Sequence, residues 1–548
     1  MSELNIIIAP DSFKGSLGSR AVCDAIETGI LKIAPKSNVI KVPLADGGEG
    51  TVEALVMNRG GHYISVEVTG PLGKKVLARY GILEDDSTAV IEMAEASGLM
   101  RVPIKDRNPG LTTTYGTGEL IKDAVNRGCR RIILGLGGSA TNDYGIGALQ
   151  ALGFSFKNDE GHEIGFGCRE LARITRIDTS NQLEQLNQVE VIIASDVDNP
   201  LLGKQGATYT YAHQKGASKN ELPELEAALV QVNTVVEQYL GHSIKHIAGA
   251  GAAGGFGAGL LAFLNCKVSR GVDLIMEMIG FRQLFETNNI DLVITGEGSI
   301  DAQTIHGKLP VGVAQIAKDY SVPVIAIVGA KGEGYEAVLS HGIDAIYSLS
   351  DENSPAEKTI ADPELYLVKT TQKLMLSLKK RLINMNIRKA NYADLPAMVE
   401  IYNQAIATKH TADMIPFSVE ERKTWFDDHS SEHYPLIVAE ASNVIRGYLS
   451  LSPYRSGRLA LRHTAEVSFY IHEDYRQQGI ASRLLSHIVE KSAELDIKTL
   501  FAILLEDNQG SIRLLKKYGF ETWGHLPDVA DFDGVEVGHL YLGLRIRT

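Results

Sequence analysis

The sequence predicts an α/β fold divided into two units, residues 1–383 and residues 384–548. A chain of 548 residues is too long for one core, and its length is typical of about three structural domains. Short apolar segments alternate with amphipathic ones, as strands and helices do in α/β proteins. Composition changes near residue 386, because both tryptophans follow it but only nine of the 54 glycines do. We therefore expect a large, two-lobed first unit and a smaller second α/β domain.

The elements of the first unit follow from their polarity patterns. Fully apolar runs predict buried strands, apolar residues at helical spacing predict amphipathic helices, and strict alternation over 62–93 predicts antiparallel strands. The predicted order is strand 5–9, helix 19–34, strand 39–43, helix 50–58, strands 62–69, 75–83 and 88–93, helix 117–128, strand 131–134, helix 146–152, strand 189–194, helix 220–240, strands 292–295 and 324–328, and helix 363–382. Such an order favours a largely parallel sheet with helices on its faces.

Charge and cysteine content exclude several classes of partner. The formal net charge is −13 and no basic face is apparent, which argues against nucleic-acid and anionic-membrane partners. The four cysteines are far apart and form no CxxC pair, a usage typical of a reduced cytoplasmic protein. Segment 247–266 carries no charge but is mostly Gly and Ala, so we do not expect a membrane span there. The apolar run 4–10 predicts a first strand rather than a signal peptide.

Five loops of the first unit share one pattern, small residues beside one or two carboxylates where a strand ends. Open α/β sheets bind ligands at such positions. Glycines let a phosphate approach backbone N–H groups, carboxylates can hold Mg²⁺ between phosphate oxygens, and Lys14 or Lys308 can neutralise a transferred phosphoryl group. A single loop of this kind is a simple turn or a helix cap as often as it is a ligand-binding loop, but five together favour a polyanion site. The loops are 11–16, 45–51, 135–143, 195–200 and 295–301.

Two familiar nucleotide motifs do not account for this pattern. The chain has no GxxxxGK[ST] string, which excludes a P-loop enzyme. Residues 249–254 match GxGxxG, but no good strand precedes them, so a dinucleotide-binding fold is disfavoured.

The same strings resemble bacterial glycerate kinases over roughly residues 4–380. They are APDSFKGSL (9–17), PLADGGEGT (43–51), GLGGSATND (135–143), DVDNPL (196–201), QKGA (214–217) and TGEGSID (295–301) with Gly307-Lys308. The resemblance implies ATP-dependent phosphorylation of D-glycerate with Mg²⁺, often at the 2-hydroxyl, which gives 2-phosphoglycerate. By this resemblance and the loop chemistry, the catalytic candidates are Asp196, Lys14 and Glu297, the ATP-binding candidates are Gly137, Gly138, Ser139 and Lys308, and the metal candidates are Asp46, Asp198 and Asp301. The family usually has two glycines after Asp143, whereas Tyr144 stands here before Gly145, and a narrower pocket is the expected result.

In the second unit, a loop lies between a predicted strand and a predicted helix. Residues 465–471 alternate as a strand, 476–481 form the loop, and 482–495 are predicted to be helical. Unpaired N–H groups and the helix dipole would favour a pyrophosphate at that helix N-terminus. Gly479 and Ala481 are small enough for close approach of the backbone to it. A strand at 500–505 and a helix at 511–518 complete the pattern.

This second arrangement resembles GNAT acetyltransferases of the phosphinothricin acetyltransferase group over about residues 387–545. The supporting strings are IRKA (387–390) with Asp394, EER (420–422) with Trp425, AEVS (465–468), RQQGIA (476–481) and NQGSI (508–512). The resemblance implies acetyl-CoA bound through Arg476, Gly479, Ala481 and Asn508. It also implies that Glu466 is the general base for an amine; the alternative is a structural carboxylate paired with an Arg.

The general acid of this unit stays unassigned. Many GNAT enzymes have Tyr, and this group often His, at the position that Leu515 occupies here. The leaving thiolate would then take its proton from Tyr470, Tyr475, Tyr518 or solvent.

Three functional hypotheses follow. The first is a bifunctional enzyme with D-glycerate and an unidentified small amine as substrates, with ATP, Mg²⁺ and acetyl-CoA as cofactors, and with a homodimer as a possible assembly. The second is a glycerate kinase whose second unit binds acetyl-CoA without turnover. The third is a fusion that only aids assembly and leaves two independent activities.

Overall fold

The computed structural model describes residues 4–306, 308–351, 354–383, 385–429, 432–476 and 478–546. Three residues named above lie outside these ranges: Gly307, which was quoted beside Lys308, Gln477 of the 476–481 loop, and Asn384 at the predicted boundary. No helix in the described part is long and apolar enough to cross a membrane.

The first unit alternates strands and helices along most of its length. Its elements are β1 (Asn5–Pro10), α1 (Ser19–Ile33), β2 (Asn38–Lys41), α2 (Thr51–Arg59), β3 (Gly61–Thr69), β4 (Lys75–Leu83), β5 (Thr88–Glu92), α3 (Met93–Ser97), α4 (Tyr115–Asn126), β6 (Arg131–Gly135), α5 (Ile146–Ala151), β7 (Ser155–Lys157), β8 (Arg176–Asp178), β9 (Glu190–Ala194), α6 (Ala207–Tyr211), α7 (Leu222–Leu240), α8 (Ala252–Phe263), β10 (Cys266–Ser269), α9 (Gly271–Ile279), α10 (Phe281–Thr287), β11 (Leu292–Gly296), β12 (Ser299–Ile300), α11 (Leu309–Asp319), β13 (Val324–Val328), β14 (Ala330–Lys331), β15 (Ala345–Ser348), α12 (Ala356–Ala361) and α13 (Pro363–Ile383).

Two large sheets organise this unit. The first has the order β15-β13-β11-β1-β2 and is parallel throughout, whereas the second has the order β10-β9-β6-β5-β4-β3, with β3 and β4 antiparallel. Strand β1 is covered on both faces, because Ile7 packs in one core and Ile6 in another. The core around Ile7 also contains Ile133 and Ile192 of the second sheet, so the two sheets share buried apolar contacts.

Helix α13 closes the first unit against α1. A Cβ atom on Gly29 of α1 would lie 2.5 Å from Thr371 Cβ of α13, so only glycine permits this approach. Leu367, Leu374 and Met375 of α13 are fully buried in the core against α1. Helix α13 ends at Ile383 and the next strand begins at Asn386, so the connection between the units is very short.

The second unit is one mixed sheet with helices on both faces. Its elements are β16 (Asn386–Lys389), α14 (Leu395–Ala407), α15 (Lys423–Asp428), β17 (Leu436–Ala441), β18 (Val444–Pro453), β19 (Thr464–Ile471), α16 (Ile480–Lys491), β20 (Thr499–Leu505), α17 (Gln509–Lys517), β21 (Glu521–Asp531) and β22 (Glu536–Arg545). The strand order is β16-β17-β18-β19-β20-β22-β21, and only β19 and β20 are parallel neighbours. Ala465 and Val467 of β19 face the core under α16, while Tyr470 packs against α14 on the opposite face.

Most predicted elements are present, with shifted ends. Helix α4 spans Tyr115–Asn126 rather than 117–128, because the buried Asp143 carboxylate accepts hydrogen bonds from the N–H and hydroxyl of Thr114 at its start. Helix α16 begins at Ile480 and ends at Lys491, so Ala481 belongs to its first turn and not to the loop. The Ser492 hydroxyl donates to the Ile488 carbonyl where this helix ends, a local bond that competes with helix continuation.

Candidate active sites of the two units

Loops at the carboxyl ends of strands from both sheets of the first unit meet around Asp46. A Cβ atom on Gly47, after β2, would lie 3.0 Å from the Ala194 carbonyl oxygen at the end of β9. A Cβ atom on Gly137 would lie 2.7 Å from Gly48 Cα. These glycines therefore let the loops of the two sheets touch, and together the loops border one cleft.

Lys14 and Asp46 form the centre of this cleft. Lys14 Nζ donates to Asp46 Oδ2 at 2.6 Å. Burial alone would lower the pKa of Lys14, but the neighbouring Asp46 charge raises it, so the lysine stays protonated at neutral pH. Asp11 is 4% exposed beside them. Burial and repulsion from Asp46 raise the pKa of Asp11 to about 7, although Lys14 partly opposes this.

Asp196 faces the same cleft from the second sheet. It follows β9, and its Oδ1 accepts a hydrogen bond from the Gly271 N–H at 3.1 Å. Its side chain is open to the cleft, yet desolvation by the surrounding protein atoms, and next the Asp46 charge, raise its pKa to about 6. The charge of Asp46 therefore acts on Asp196, whose carboxyl group is mostly deprotonated at pH 7.

Glu297, at the end of β11, reaches the cleft from the first sheet. Its Oε1 accepts from the Thr304 hydroxyl at 3.0 Å, and its side chain is 9% exposed. Burial raises its pKa to about 6, while Lys308 acts in the opposite direction. Lys308 precedes α11 and forms a longer ion pair, 3.7 Å, with Asp301.

The three predicted metal aspartates do not lie in one group. Asp46 is bonded to Lys14, Asp301 is engaged by Lys308 and by the Gln303 N–H, and Asp198 is exposed on the 195–200 loop. No three His, Cys, Asp or Glu side chains in the described ranges form a metal-ligating group. Asp46, Asp198 and Asp301 therefore stay separate candidates for Mg²⁺, each on a loop that follows a different strand.

The glycine-rich loop 135–143 is fixed from beneath by a buried lysine. Gly138 has φ +72°, which favours glycine, and Gly137 is needed for the contact with Gly48. The Lys215 ammonium donates to Ser139 Oγ at 2.8 Å and to the Thr141 carbonyl at 2.7 Å. The Ser139 hydroxyl is therefore already used in holding the loop, in addition to its predicted role toward ATP.

Tyr144 does not narrow the cleft. It is fully buried, packs in the core of the second sheet, and donates its hydroxyl hydrogen bond to Asn233 of α7 at 3.2 Å. The expectation of a narrower pocket is wrong, because the backbone at Tyr144 has φ +58° and directs the ring inward.

In the second unit, the predicted pyrophosphate loop borders a cavity of 680 Å³. Arg476, Gly479, Ala481 and Asn508 all line it. Gly479 is the residue before α16 and has φ +75°, which places the first N–H groups of the helix at the cavity. Asn508 Oδ1 accepts from the Ser511 N–H at 3.2 Å and so caps α17. The structure thus brings together all four residues assigned to the coenzyme.

Glu466 lies on the face of β19 that turns away from α16, opposite Ser452 of β18 and Phe501 of β20. Burial raises the pKa of its carboxyl group. Within the described ranges no ion pair joins it to an arginine, so the structural salt bridge considered for it is absent there. Glu466 is not among the described residues that line the 680 Å³ cavity, although Tyr470 of the same strand is.

The tyrosines considered as general acid differ in their surroundings. Tyr470 and Tyr475 line the cavity, whereas Tyr518 donates its hydroxyl hydrogen to the Ser482 carbonyl at 2.8 Å. Burial among Tyr402 and its neighbours raises the pKa of Tyr470 well above its usual range, which weakens it as an acid. Leu515 is buried in the core.

Comparison with known proteins then decides the family. The model of the glycerate kinase family matches residues 6–379, more than half of the chain. The chain belongs to the glycerate kinase family. The glycerate kinase of Halalkalibacterium halodurans is 50% identical over 63% of this chain and 90% of its own length. The glycerate 2-kinase of Escherichia coli K12 is 46% identical over 63% of this chain and 90% of its own length. A crystal structure assigned as glycerate kinase 2 of Salmonella typhimurium LT2 is 42% identical, covers 70% of this chain and all of that chain, and has a TM-score of 0.61.

The remainder of the chain matches a second family. The acetyltransferase (GNAT) family model matches residues 397–520. A crystal structure assigned as a phosphinothricin N-acetyltransferase is 37% identical and covers 30% of this chain and 99% of that chain, with a TM-score of 0.29 over the whole fusion. The protein is thus a glycerate kinase fused to a GNAT acetyltransferase domain, and both predicted families are confirmed.

Sequence reasoning missed several polar residues of the glycerate kinase domain. Lys215 and Asp11 both stand in the quoted strings, but nothing in the sequence showed that they would be buried. Glu92 is 8% exposed, accepts from the Val52 N–H at 2.8 Å, and burial raises its pKa to about 7. It lines a 350 Å³ cavity together with Lys14 and Arg79. The only feature of the sequence that could have indicated Glu92 is its position as a carboxylate at the end of a strand.

Proposed function

We propose that the glycerate kinase domain transfers the γ-phosphoryl group of ATP to D-glycerate with Mg²⁺, and that the product is 2-phosphoglycerate. The observation that carries this proposal is the cleft in which Lys14, Asp11, Asp46, Asp196 and Glu297 come together from loops of two sheets. The name of the Escherichia coli relative, glycerate 2-kinase, supports the choice of hydroxyl. The cytoplasm remains our predicted location.

The carboxylates of the cleft fit a divalent cation. Burial, and next the Asp46 charge, raise the pKa values of both Asp11 and Asp196, so a cation beside them would stabilise their charged forms. Asp46 would be a ligand of Mg²⁺, and the ion would neutralise negative charge on the phosphate groups. Lys14 remains protonated and would stabilise negative charge on the transferred group.

Asp196 is the proposed general base of phosphoryl transfer. Its pKa of about 6 leaves it mostly deprotonated at pH 7 and still basic enough to accept a proton from a hydroxyl group as that group attacks. The Gly271 N–H fixes the carboxylate through one oxygen, which leaves the other free for the substrate.

³¹P NMR of the product formed from D-glycerate and MgATP tests the assignment. We expect 2-phosphoglycerate from the wild type, and a rate lower by about 10²–10⁴-fold in Asp196→Asn. The control is Asp86→Asn, the same charge change at an exposed turn whose φ of +52° asparagine tolerates. No phosphorylation of glycerate by the wild type would refute the activity, and 3-phosphoglycerate would refute the regiochemistry.

We also propose that the GNAT domain binds acetyl-CoA and acetylates the primary amine of a small, amino-acid-like molecule. This rests on the lining of the 680 Å³ cavity and on Glu466, which has a raised pKa and no ion pair with an arginine among the described residues, as suits a base. The second candidate is an acetyl-CoA-binding module without turnover. The buried Leu515 favours it, because no acid occupies that position.

A matched pair of glycine variants tests the coenzyme site. Gly479 and Gly457 have φ +75° and +76°, so Glu at either position suffers the same backbone strain and adds the same charge. Gly457 has open space around its Cβ position. Calorimetry should show loss of acetyl-CoA binding in Gly479→Glu but not in Gly457→Glu; equal affinities would place the coenzyme elsewhere. Transfer to a panel of amines by the wild type separates the enzyme from the binding module.

A further inference from the structure

The 680 Å³ cavity has a second wall, which the glycerate kinase domain supplies. Besides the pyrophosphate loop, the first turn of α16 and one side of α17, its lining includes residues 288–291 before β11 and residues 319–323 from the end of α11 to the start of β13. A Cβ atom on Gly510, in α17, would lie 4.0 Å from Ser321 Oγ. The space in front of the pyrophosphate loop is therefore bounded by both domains.

Contacts around the cavity join the two domains. Lys517 of α17 forms an ion pair with Asp291, whose other carboxylate oxygen accepts from the Asn5 N–H at 2.9 Å. The guanidinium carbon of Arg513 lies 5.9 Å from the ring centre of Tyr320. The very short connection after α13 restricts how far the domains can separate. These contacts hold residues 319–323 of the kinase domain against the part of the GNAT domain that carries the pyrophosphate loop.

Arg513, which lines the cavity, has a hydrogen-bond donor that the described residues leave unpaired. Its Nη2 atom is buried and has no hydrogen-bond partner in the described part of the chain. Burial lowers the pKa of this guanidinium, which reflects the cost of holding its charge there. A phosphate would supply both the missing acceptor and the compensating charge.

We propose that the glycerate kinase domain completes the coenzyme A site, so that the 3′-phosphoadenosine end of the coenzyme lies between the domains. The pyrophosphate occupies the N-terminus of α16, the 3′-phosphate pairs with Arg513, and the adenosine lies against Tyr320 and Ser321. The inference rests on the proposed acetyl-CoA binding. It adds that affinity for the coenzyme depends on residues of the kinase domain.

The full-length protein and two ligands test this. Calorimetry compares coenzyme A with dephospho-coenzyme A, which lacks only the 3′-phosphate. We expect the wild type to bind coenzyme A more tightly, and Arg513→Met to bind both alike. Retained preference for coenzyme A in Arg513→Met would exclude Arg513 as the phosphate partner.

Ser321 offers a matched pair on the kinase side. Its φ of +53° is tolerated by both Asp and Asn. Ser321→Asp should weaken coenzyme A binding by about threefold or more relative to Ser321→Asn, as for like charges about 6 Å apart in water. Unchanged glycerate kinase activity in both variants shows that they fold.

Equal affinity of the two Ser321 variants for coenzyme A would overturn this inference but leave the proposed acetyltransferase function standing. Absence of any binding of acetyl-CoA by the wild type overturns the proposed acetyltransferase function, and this inference with it.

Discussion

Replacement of Lys215 by Met should change how the stability of the glycerate kinase domain depends on pH. Lys215 is 3% exposed, and burial lowers its pKa from 10.5 to about 7, while the Asp143 charge partly opposes this. Between pH 7 and pH 10.5 the unfolded chain therefore binds a proton that the folded chain has lost. The free energy of unfolding of the wild type should rise with pH over this window, by about 1.4 kcal/mol per pH unit and about 5 kcal/mol in all. Below pH 7 both states bind the proton and this contribution is flat.

The Lys215→Met variant lacks the titrating group but retains the other ionisable residues, so the difference between the two proteins isolates Lys215. At pH 7 the variant also loses the bonds to Ser139 and Thr141, a cost of about 1–3 kcal/mol for each buried group left unpaired. Urea unfolding at pH 6, 7, 8 and 9 measures the difference. Both tryptophans lie in the GNAT domain, so tryptophan fluorescence reports the unfolding of that domain. Circular dichroism reports both domains, and a transition seen by circular dichroism but not by fluorescence is that of the kinase domain. A difference in unfolding free energy that stays constant from pH 7 to pH 9 would refute the buried-lysine argument.

Three further predictions concern other residues. Glycerate kinase turnover should fall about tenfold per pH unit below about pH 6, because protonated Asp196 cannot accept the hydroxyl proton; a flat acid limb in a pH–rate profile would contradict this. Gly137→Ala should lower the unfolding free energy by about 1–3 kcal/mol, since its Cβ would lie 2.7 Å from Gly48 Cα, and an unchanged melting temperature would show that the loops can separate without cost. Glu466→Gln should keep its affinity for acetyl-CoA but lose acetyl transfer, because an amide cannot take a proton from an ammonium group; full transfer activity would mean that another group is the base.

How far the sequence predicted the candidate sites depended on the kind of signal. Gly479 was predicted from a strand, a loop of small residues and a helix that are adjacent in the chain, and it lines the 680 Å³ cavity; its contact with the coenzyme stays a prediction. Asp196, Lys14 and Glu297 were predicted as separate loop residues, and their common cleft could be inferred only from the rule for open α/β sheets. Asp301 and Asp46 were both predicted as metal candidates from their loops and the family resemblance, and the fold gives them different lysine partners, Lys308 and Lys14.

The sequence by itself determined the two families, the order of most strands and helices, and the loops that carry the chemistry, because these follow from local polarity and from short strings of residues. Only the tertiary structure decided which side chains are buried and which partners they meet. Lys215 became a buried support for the Ser139 loop, Tyr144 a core residue, and Ser321 part of the lining of the 680 Å³ cavity. Burial and pairing of this kind depend on segments that are far apart in the chain, and the desolvation that sets their pKa values arises only when those segments pack together.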